Sequence, residues 1–283
     1  MILQKEIREI AEKLNVPSNT IDKDYVLGHF LNELFKQPWA IDNFLFKGGT
    51  CLKKCYFEEY RFSEDIDITI TNPDFVLTIK QMESIYQITM QKIGIFFKIM
   101  KFEKALFKDL LVGWDIEICF LGANHSKNTM PVFGKDYHTK ISFDIRLYEN
   151  QLFPSVEKPL IHLFSDVDLV SVQIPCYSLH EVLAEKMRSL IQRNRGEARD
   201  YFDLWYIKAH VKDIDWAIVK TAFAEKCKFK AIEFNGVDDF FRPERMKQVE
   251  ITWERRLNHQ LPQKVDRKLV TSELKIFFYQ IFP

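Results

Sequence analysis

Near the start of the chain, apolar positions recur at helical spacing. Ile2, Ile7, Ile10, Ala11 and Leu14 mark a helix over 1–14, and Tyr25, Val26, Phe30, Leu31, Leu34 and Phe35 mark a second over 22–36. Val16-Pro17-Ser18-Asn19 between them carries loop chemistry. Phe44-Leu45-Phe46 is a short apolar run ended by Gly48-Gly49, with a predicted helix over 50–57 behind it. The period then changes to two. Ile66, Ile68 and Ile70 alternate with Asp65, Asp67 and Thr69, as in a half-buried strand. Residues 75–98 read as helical, 114–120 and 141–147 alternate again around a polar loop or hairpin at 122–140, and 172–174 form a last candidate strand stopped by Pro175. From Ser178 the pattern is helical almost to the end, broken near Asn235-Gly236, Pro243 and Pro262. The reading is an α+β chain, with a mixed sheet flanked by helices over 1–175 and a helical region over 176–283.

With 47% hydrophobic and 28% charged residues, the chain is too apolar and too patterned for disorder. Forty basic residues balance forty acidic ones, so no global field draws in a polyanion, and nucleic-acid or nucleotide binding must come from local clusters. The five cysteines include no CxxC pair, and Cys51/Cys55 alone is a poor zinc signal, which points to buried free thiols in a reducing compartment. The start of the chain lacks the apolar run of a signal peptide, and no stretch approaches a membrane span. A cytoplasmic protein without membrane contact is the expectation.

Two features carry chemistry. Gly48-Gly49-Thr50 lies between an apolar strand and a helix, where glycine lets backbone N–H groups approach a phosphate and a helix start adds partial positive charge. Such a turn also needs glycine simply for geometry. Asp65 and Asp67 stand two residues apart on a strand, so they project from one face about 6.6 Å apart. Carboxylates this close repel unless a cation or shared proton intervenes, and magnesium, which also carries substrate phosphates, resolves the conflict. A third carboxylate is expected. Asp144 has the right phase, but Asp115 and Glu117 alternate equally well, so periodicity leaves the choice open.

Lys47-Gly48-Gly49-Thr50 followed by Tyr60-Arg61-Phe62-Ser63-Glu64-Asp65-Ile66-Asp67 resembles the signature of the AbiEii-type nucleotidyltransferase toxins, within the DNA polymerase β-like nucleotidyltransferase superfamily. Asp22-Lys23-Asp24-Tyr25 upstream, and Leu183-Ala184-Glu185-Lys186, Arg193 and Arg199-Asp200-Tyr201-Phe202-Asp203-Leu204 downstream, extend the match from about residue 20 to 210. The resemblance implies a nucleotidyltransferase-like fold that moves a nucleoside monophosphate from an NTP to an acceptor and releases pyrophosphate. It implies that Lys47, Gly48, Gly49, Thr50 and Ser63 hold the triphosphate, that Asp65 and Asp67 bind two magnesium ions (or manganese), and that Asp144 is the third ligand. Some members extend tRNA 3′ ends, as the toxin of a toxin–antitoxin or abortive-infection pair. RNA and a cognate antitoxin are therefore the implied partners. Alternatives are nucleotidylation of a protein, a non-catalytic nucleotide- or RNA-binding module, and a metal-dependent phosphohydrolase.

The downstream block is informative by itself. Ser178-Leu179-His180-Glu181 has the form of a capping box, and Leu179, Val182, Leu183, Met187, Leu190 and Ile191 form the stripe of the helix it opens. Lys186 falls inside that stripe, so it must snorkel or find an anion, for which a substrate phosphate is a candidate. Arg193, one heptad on, lies roughly on the same side. Asp200 and Asp203 sit off the centre of the stripe of Phe202, Trp205 and Ala209, which reads as solvent-facing or as helix-capping partners of Arg199; only the resemblance gives Asp203 a role, orienting Lys186 or contacting substrate. His125, His138, His162, His180, His210 and His259 show no metal spacing with the cysteines. Basic residues from Arg242 to Lys268, interleaved with Phe240, Phe241 and Trp253, form either an RNA contact or a solvated helix face.

Overall fold

The computed structural model describes residues 1–124, 139–193 and 196–282; His125, His138 and most of the 122–140 loop lie outside them. The chain divides into two units, Met1–Glu149 with Ser155–Cys176, and Asn150–Pro154 with Tyr177–Pro283.

The first unit runs α1 (Gln4–Leu14), α2 (Ser18–Leu34), α3 (Pro38–Ile41), β1 (Phe44–Lys47), α4 (Gly48–Cys51), a π-helical turn at Leu52–Tyr56, β2 (Asp65–Ile70), α5 (Ile79–Ile93), β3 (Phe96–Phe107), β4 (Leu110–Leu121), β5 (Lys140–Arg146), β6 (Val156–Pro159) and β7 (Gln173–Cys176). Its sheet has seven strands in the order β3-β4-β5-β2-β1-β7-β6. β2 pairs antiparallel with β1 and parallel with β5, so the sheet is mixed. Strand alternation sorts the two faces. Ile66, Ile68, Phe143, Ile145, Trp114 and Ile116 are buried in one core, where Phe30 of α2 lies 5.2 Å from Phe143 and 5.8 Å from Tyr86 of α5. Asp65, Asp67, Ser142, Asp144, Asp115 and Glu117, the alternate residues, occupy the opposite face.

α2 is buried along nearly its whole length, including Asp22, Asp24, His29, Asn32 and Glu33. Each of these side chains has at least one partner. Asp24 meets the Lys54 ammonium at 2.6 Å, Glu33 meets Lys92 at 2.7 Å, and Asp22 accepts from the Asn124 N–H at 3.1 Å. Lys23 reaches Glu64 at 3.1 Å. The Asp22-Lys23-Asp24 block thus fastens α2 to the segment behind the glycine turn and to the residue just before β2.

The structure departs from the expectation in the helix over 75–98, in the strand stopped by Pro175, and in two edge strands that were not predicted. The helix expected over 75–98 ends at Ile93, because Gly94 takes a left-handed conformation (φ 71°) and the chain leaves as β3. β3 is an edge strand whose residues are at most half-buried, so its alternation is faint. β6 is likewise an edge strand, short and unpredicted. β7 runs through Pro175 to Cys176; its only register partner in β1 is Phe46, opposite Cys176, so the missing Pro175 N–H costs no ladder bond there.

The second unit contains α6 (Leu179–Gln192), α7 (Ala198–His210), α8 (Trp216–Phe229), α9 (Pro243–Thr252) and α10 (Arg267–Ile281). α6 packs on α7 and α8, and α10 on the same pair. The Ser178 hydroxyl caps α6 by accepting from the Glu181 N–H at 3.3 Å, but the predicted box does not close. Glu181 turns away, accepts from the Leu152 and Phe153 N–H groups at 2.9 Å each, and pairs with buried Lys226. Those bonds draw residues 150–154 into this unit. Phe240 and Trp253 are buried in its core, and the Arg245 guanidinium donates to the carbonyls of Arg193 and Ile191. Arg242, Arg256 and Arg267 pair with Asp239, Glu197 and Glu250. Phe240 and Trp253 therefore serve packing. Among the described residues, no helix is long and apolar enough to cross a membrane.

Candidate active site

β1 ends at Lys47, and the chain turns at Gly48, whose φ of 78° lies in the left-handed region. A side chain there would be strained, and its Cβ would also collide with the Asp67 carboxylate. At Gly49, a Cβ would run into the Arg61 guanidinium and come within 3.0 Å of Ser63 Oγ. The Thr50 hydroxyl donates to the Asp65 carbonyl. The two glycines thus let the turn press against the start of β2, and Thr50 fastens it there. Of the predicted triphosphate-binding side chains, Lys47, Thr50 and Ser63 are all buried, at 8%, 1% and 7% exposure.

Register sets the acidic row. Asp67 is the partner of Lys47 in β1 and of Asp144 in β5, while Asp144 is in turn the partner of Asp115 in β4. Strand order now separates candidates that periodicity could not. β5 is the strand beside β2, and β4 lies one strand further away. Arg146 bridges the outer pair, its Nε 2.9 Å from Asp144 and its Nη2 2.7 Å from Asp115. Half of the Asp144 side chain reaches solvent, yet the surrounding protein still raises its pKa above the ordinary carboxylate value, against the pull of Arg146 and Lys47.

Lys186, Arg193 and Asp203 come together in the second unit. The Lys186 ammonium lies 3.0 Å from Asp200 and 2.6 Å from Asp203, and Arg193 lies 2.9 Å from the other Asp200 oxygen. Asp200 and Asp203 are buried, not solvent-facing, because the buried face of α7 is made by Ala198, Tyr201, Phe202, Leu204 and Ile207, while Ala209 is exposed. Burial pushes the Asp200 pKa up, but Lys186 and Arg193 more than offset it and hold the carboxyl below its ordinary value. The anion that Lys186 requires is thus supplied within its own unit.

A profile of the AbiEii nucleotidyltransferase toxins, of type IV toxin–antitoxin systems, matches residues 29–272. The chain belongs to this family. It is a nucleotidyltransferase, and the family implies a nucleotide substrate and a cognate antitoxin. Its fold is similar to that of MenT4, a nucleotidyltransferase toxin from Mycobacterium tuberculosis H37Rv, with a TM-score of 0.58 at 16% identity over 99% of this chain and 97% of that one. No curated protein matches the sequence.

The AbiEii carboxylates suit a divalent cation by chemistry: Asp65, Asp67 and Asp144 offer hard oxygens from one face of adjacent strands. Donor atoms come within 4.8 Å of one another in two groups of three among the described residues, Cys51–Cys55–Cys176 and His29–His162–Asp166. The acidic trio is neither of these, and Asp144 is engaged by Arg146. Each tight group adds one member from far along the chain, Cys176 to Cys51 and Cys55, and His29 to His162 and Asp166, so local spacing shows only two of the three. Asp166 accepts from Tyr25 and accounts for the second group by hydrogen bonds, its oxygens 3.1 Å from His29 Nε2 and 2.9 Å from His162 Nε2.

Proposed function

We propose that this AbiEii-family enzyme transfers a nucleoside monophosphate from an NTP to the 3′ hydroxyl of an RNA, a tRNA in particular, with release of pyrophosphate. The observation that carries the chemistry is the register of Asp67 against Asp144 beside a glycine turn that leaves no room for a side chain. The choice of RNA as acceptor rests on the resemblance of the sequence to family members that extend tRNA.

Asp65, Asp67 and Asp144 would hold two Mg2+ ions, or Mn2+ in their place, and such ions when bound lower the pKa of an attacking hydroxyl and stabilise a leaving pyrophosphate. The chain's own groups do the positioning. Gly48 and Gly49 open the turn to phosphate oxygens, Thr50 keeps it against β2, and Ser63 offers a hydroxyl beside Gly49. Lys47, the register partner of Asp67, adds positive charge at the end of β1. Within the second unit, Asp203 acts by orienting Lys186.

Incubation with total RNA and each α-labelled NTP in turn, resolved by size, tests this reading. A labelled band at tRNA size is expected. Label on protein would make the acceptor a side chain, free nucleoside monophosphate would mark a phosphohydrolase, and no label with any NTP would leave a binding module.

A further inference from the structure

Behind the glycine turn lies a cluster that nucleotide transfer does not use. Cys51 closes α4, Cys55 follows in the π-helical turn, and Cys176 ends β7. Their sulfurs lie within 4.8 Å of one another, and the residues are 0%, 4% and 0% exposed. All three are free thiols. Cys51 and Cys55 are four positions apart on one helical face, a spacing that presents two ligands side by side. Cys176 arrives from a strand, fixed by its register with Phe46 of β1. π-turns concentrate at functional sites, and this one is closed by the Phe57 N–H on the Leu52 carbonyl at 2.9 Å.

We propose that Cys51, Cys55 and Cys176 bind one soft d10 cation, Cu+ or Zn2+, through three thiolates. A metal–sulfur bond of about 2.3 Å puts sulfurs about 4.0 Å apart in a trigonal site and about 3.8 Å apart in a tetrahedral one. The observed limit of 4.8 Å exceeds these separations by at most about 1 Å. Thiolate sulfur selects soft cations over the hard ones that the acidic row suits. Lys158, whose ammonium lies 5.1 Å from the Tyr56 ring, places positive charge beside the cluster to offset three thiolates. An ion held here ties the helical segment that carries Gly48 and Gly49 to β7. Cu+ is satisfied by three sulfurs, whereas Zn2+ recruits a fourth donor.

Cd2+ titration of the reduced full-length protein, followed by thiolate-to-metal charge-transfer absorption, tests the site. One Cd2+ per chain is expected. Cys119→Ser and Cys227→Ser should leave the signal intact, and Cys51→Ser or Cys176→Ser should weaken binding by more than about tenfold. X-ray absorption on the wild-type Cd2+ protein needs no variant and should show three sulfur neighbours. Metal analysis of protein from cells supplied with copper or zinc separates the two ions, and one equivalent of either supports the assignment. A first shell of oxygen and nitrogen, a Cys176→Ser protein that binds Cd2+ as wild type does, or refusal of Cd2+ by wild type would overturn it.

Discussion

Asp67 and Asp144 are register partners on the parallel strands β2 and β5, and Lys47 is the partner of Asp67 on the other side. Neighbouring strands lie about 4.8 Å apart, so these two carboxylates share one face at a separation where like charges repel. Arg146 and Lys47 answer part of that repulsion. A divalent cation would answer the rest.

Gly48→Ala adds a methyl group where φ is 78° and the Asp67 carboxylate already fills the space. Destabilisation of about 1–2 kcal/mol is expected from the backbone alone. Displacement of Asp67 should cut nucleotide transfer by about 100-fold. Comparing urea unfolding with transfer rates for the purified variant separates the two effects. An active Gly48→Ala enzyme would show that the close approach of turn and carboxylate is dispensable.

The Asp24–Lys54 pair is nearly inaccessible on both sides, at 7% and 2% side-chain exposure. Removing one partner strands the other charge, so Asp24→Ala should cost about 3–5 kcal/mol in chemical denaturation. The double variant Asp24→Leu/Lys54→Met should be markedly more stable than Asp24→Ala, because no unpaired charge remains. Equal losses in the two would mean that packing, not charge pairing, dominates.

Lys186 is bracketed by two buried carboxylates, and Lys186→Met leaves both without it. A loss of about 3–5 kcal/mol is expected, read from urea midpoints. Asp203→Asn should cost less, since Asp200 remains 3.0 Å from the ammonium. A larger loss in Asp203→Asn than in Lys186→Met would contradict this arrangement.

His29 is held neutral. Burial first, then neighbouring His162, lower its pKa from 6.5 to about 4 against the pull of Asp166. A depressed base gives stability that is full above the unfolded value of 6.5 and is lost as pH falls toward about 4, because the unfolded chain takes up the proton first. The loss for this residue reaches about 3 kcal/mol below that window. Asp22, pushed up to about 6 by burial, titrates in the opposite sense over part of the same range. Stability measured at several pH values should therefore fall more steeply for wild type than for His29→Gln. Parallel curves would rule out a neutral buried His29.

Much of the fold could be read along the chain wherever burial was one-sided and the period clean, as at Asp65–Ile70. β3 escaped because an edge strand buries little, and Phe96-Phe97-Lys98-Ile99-Met100 suits a helix as well as a strand. The glycine turn and the paired aspartates are local and were visible. Asp144 could not be separated from Asp115 and Glu117, since strand order is a property of the folded sheet. The burial of Asp200 is not legible along the chain because its partner Lys186 lies on another helix. The cysteine and histidine clusters join residues more than a hundred positions apart, such as Cys51 with Cys176 and His29 with His162, which no window along the chain can bring together.

The most direct measurement is Mg2+-dependent transfer from an α-labelled NTP by wild type, Asp67→Asn and Asp115→Asn, with circular dichroism to confirm the fold of each. Asp67→Asn should be inactive at every Mg2+ concentration, while Asp115→Asn, altered one strand beyond the row's centre, keeps measurable transfer. Wild-type transfer by a folded Asp67→Asn protein would contradict the metal-binding role of the acidic row.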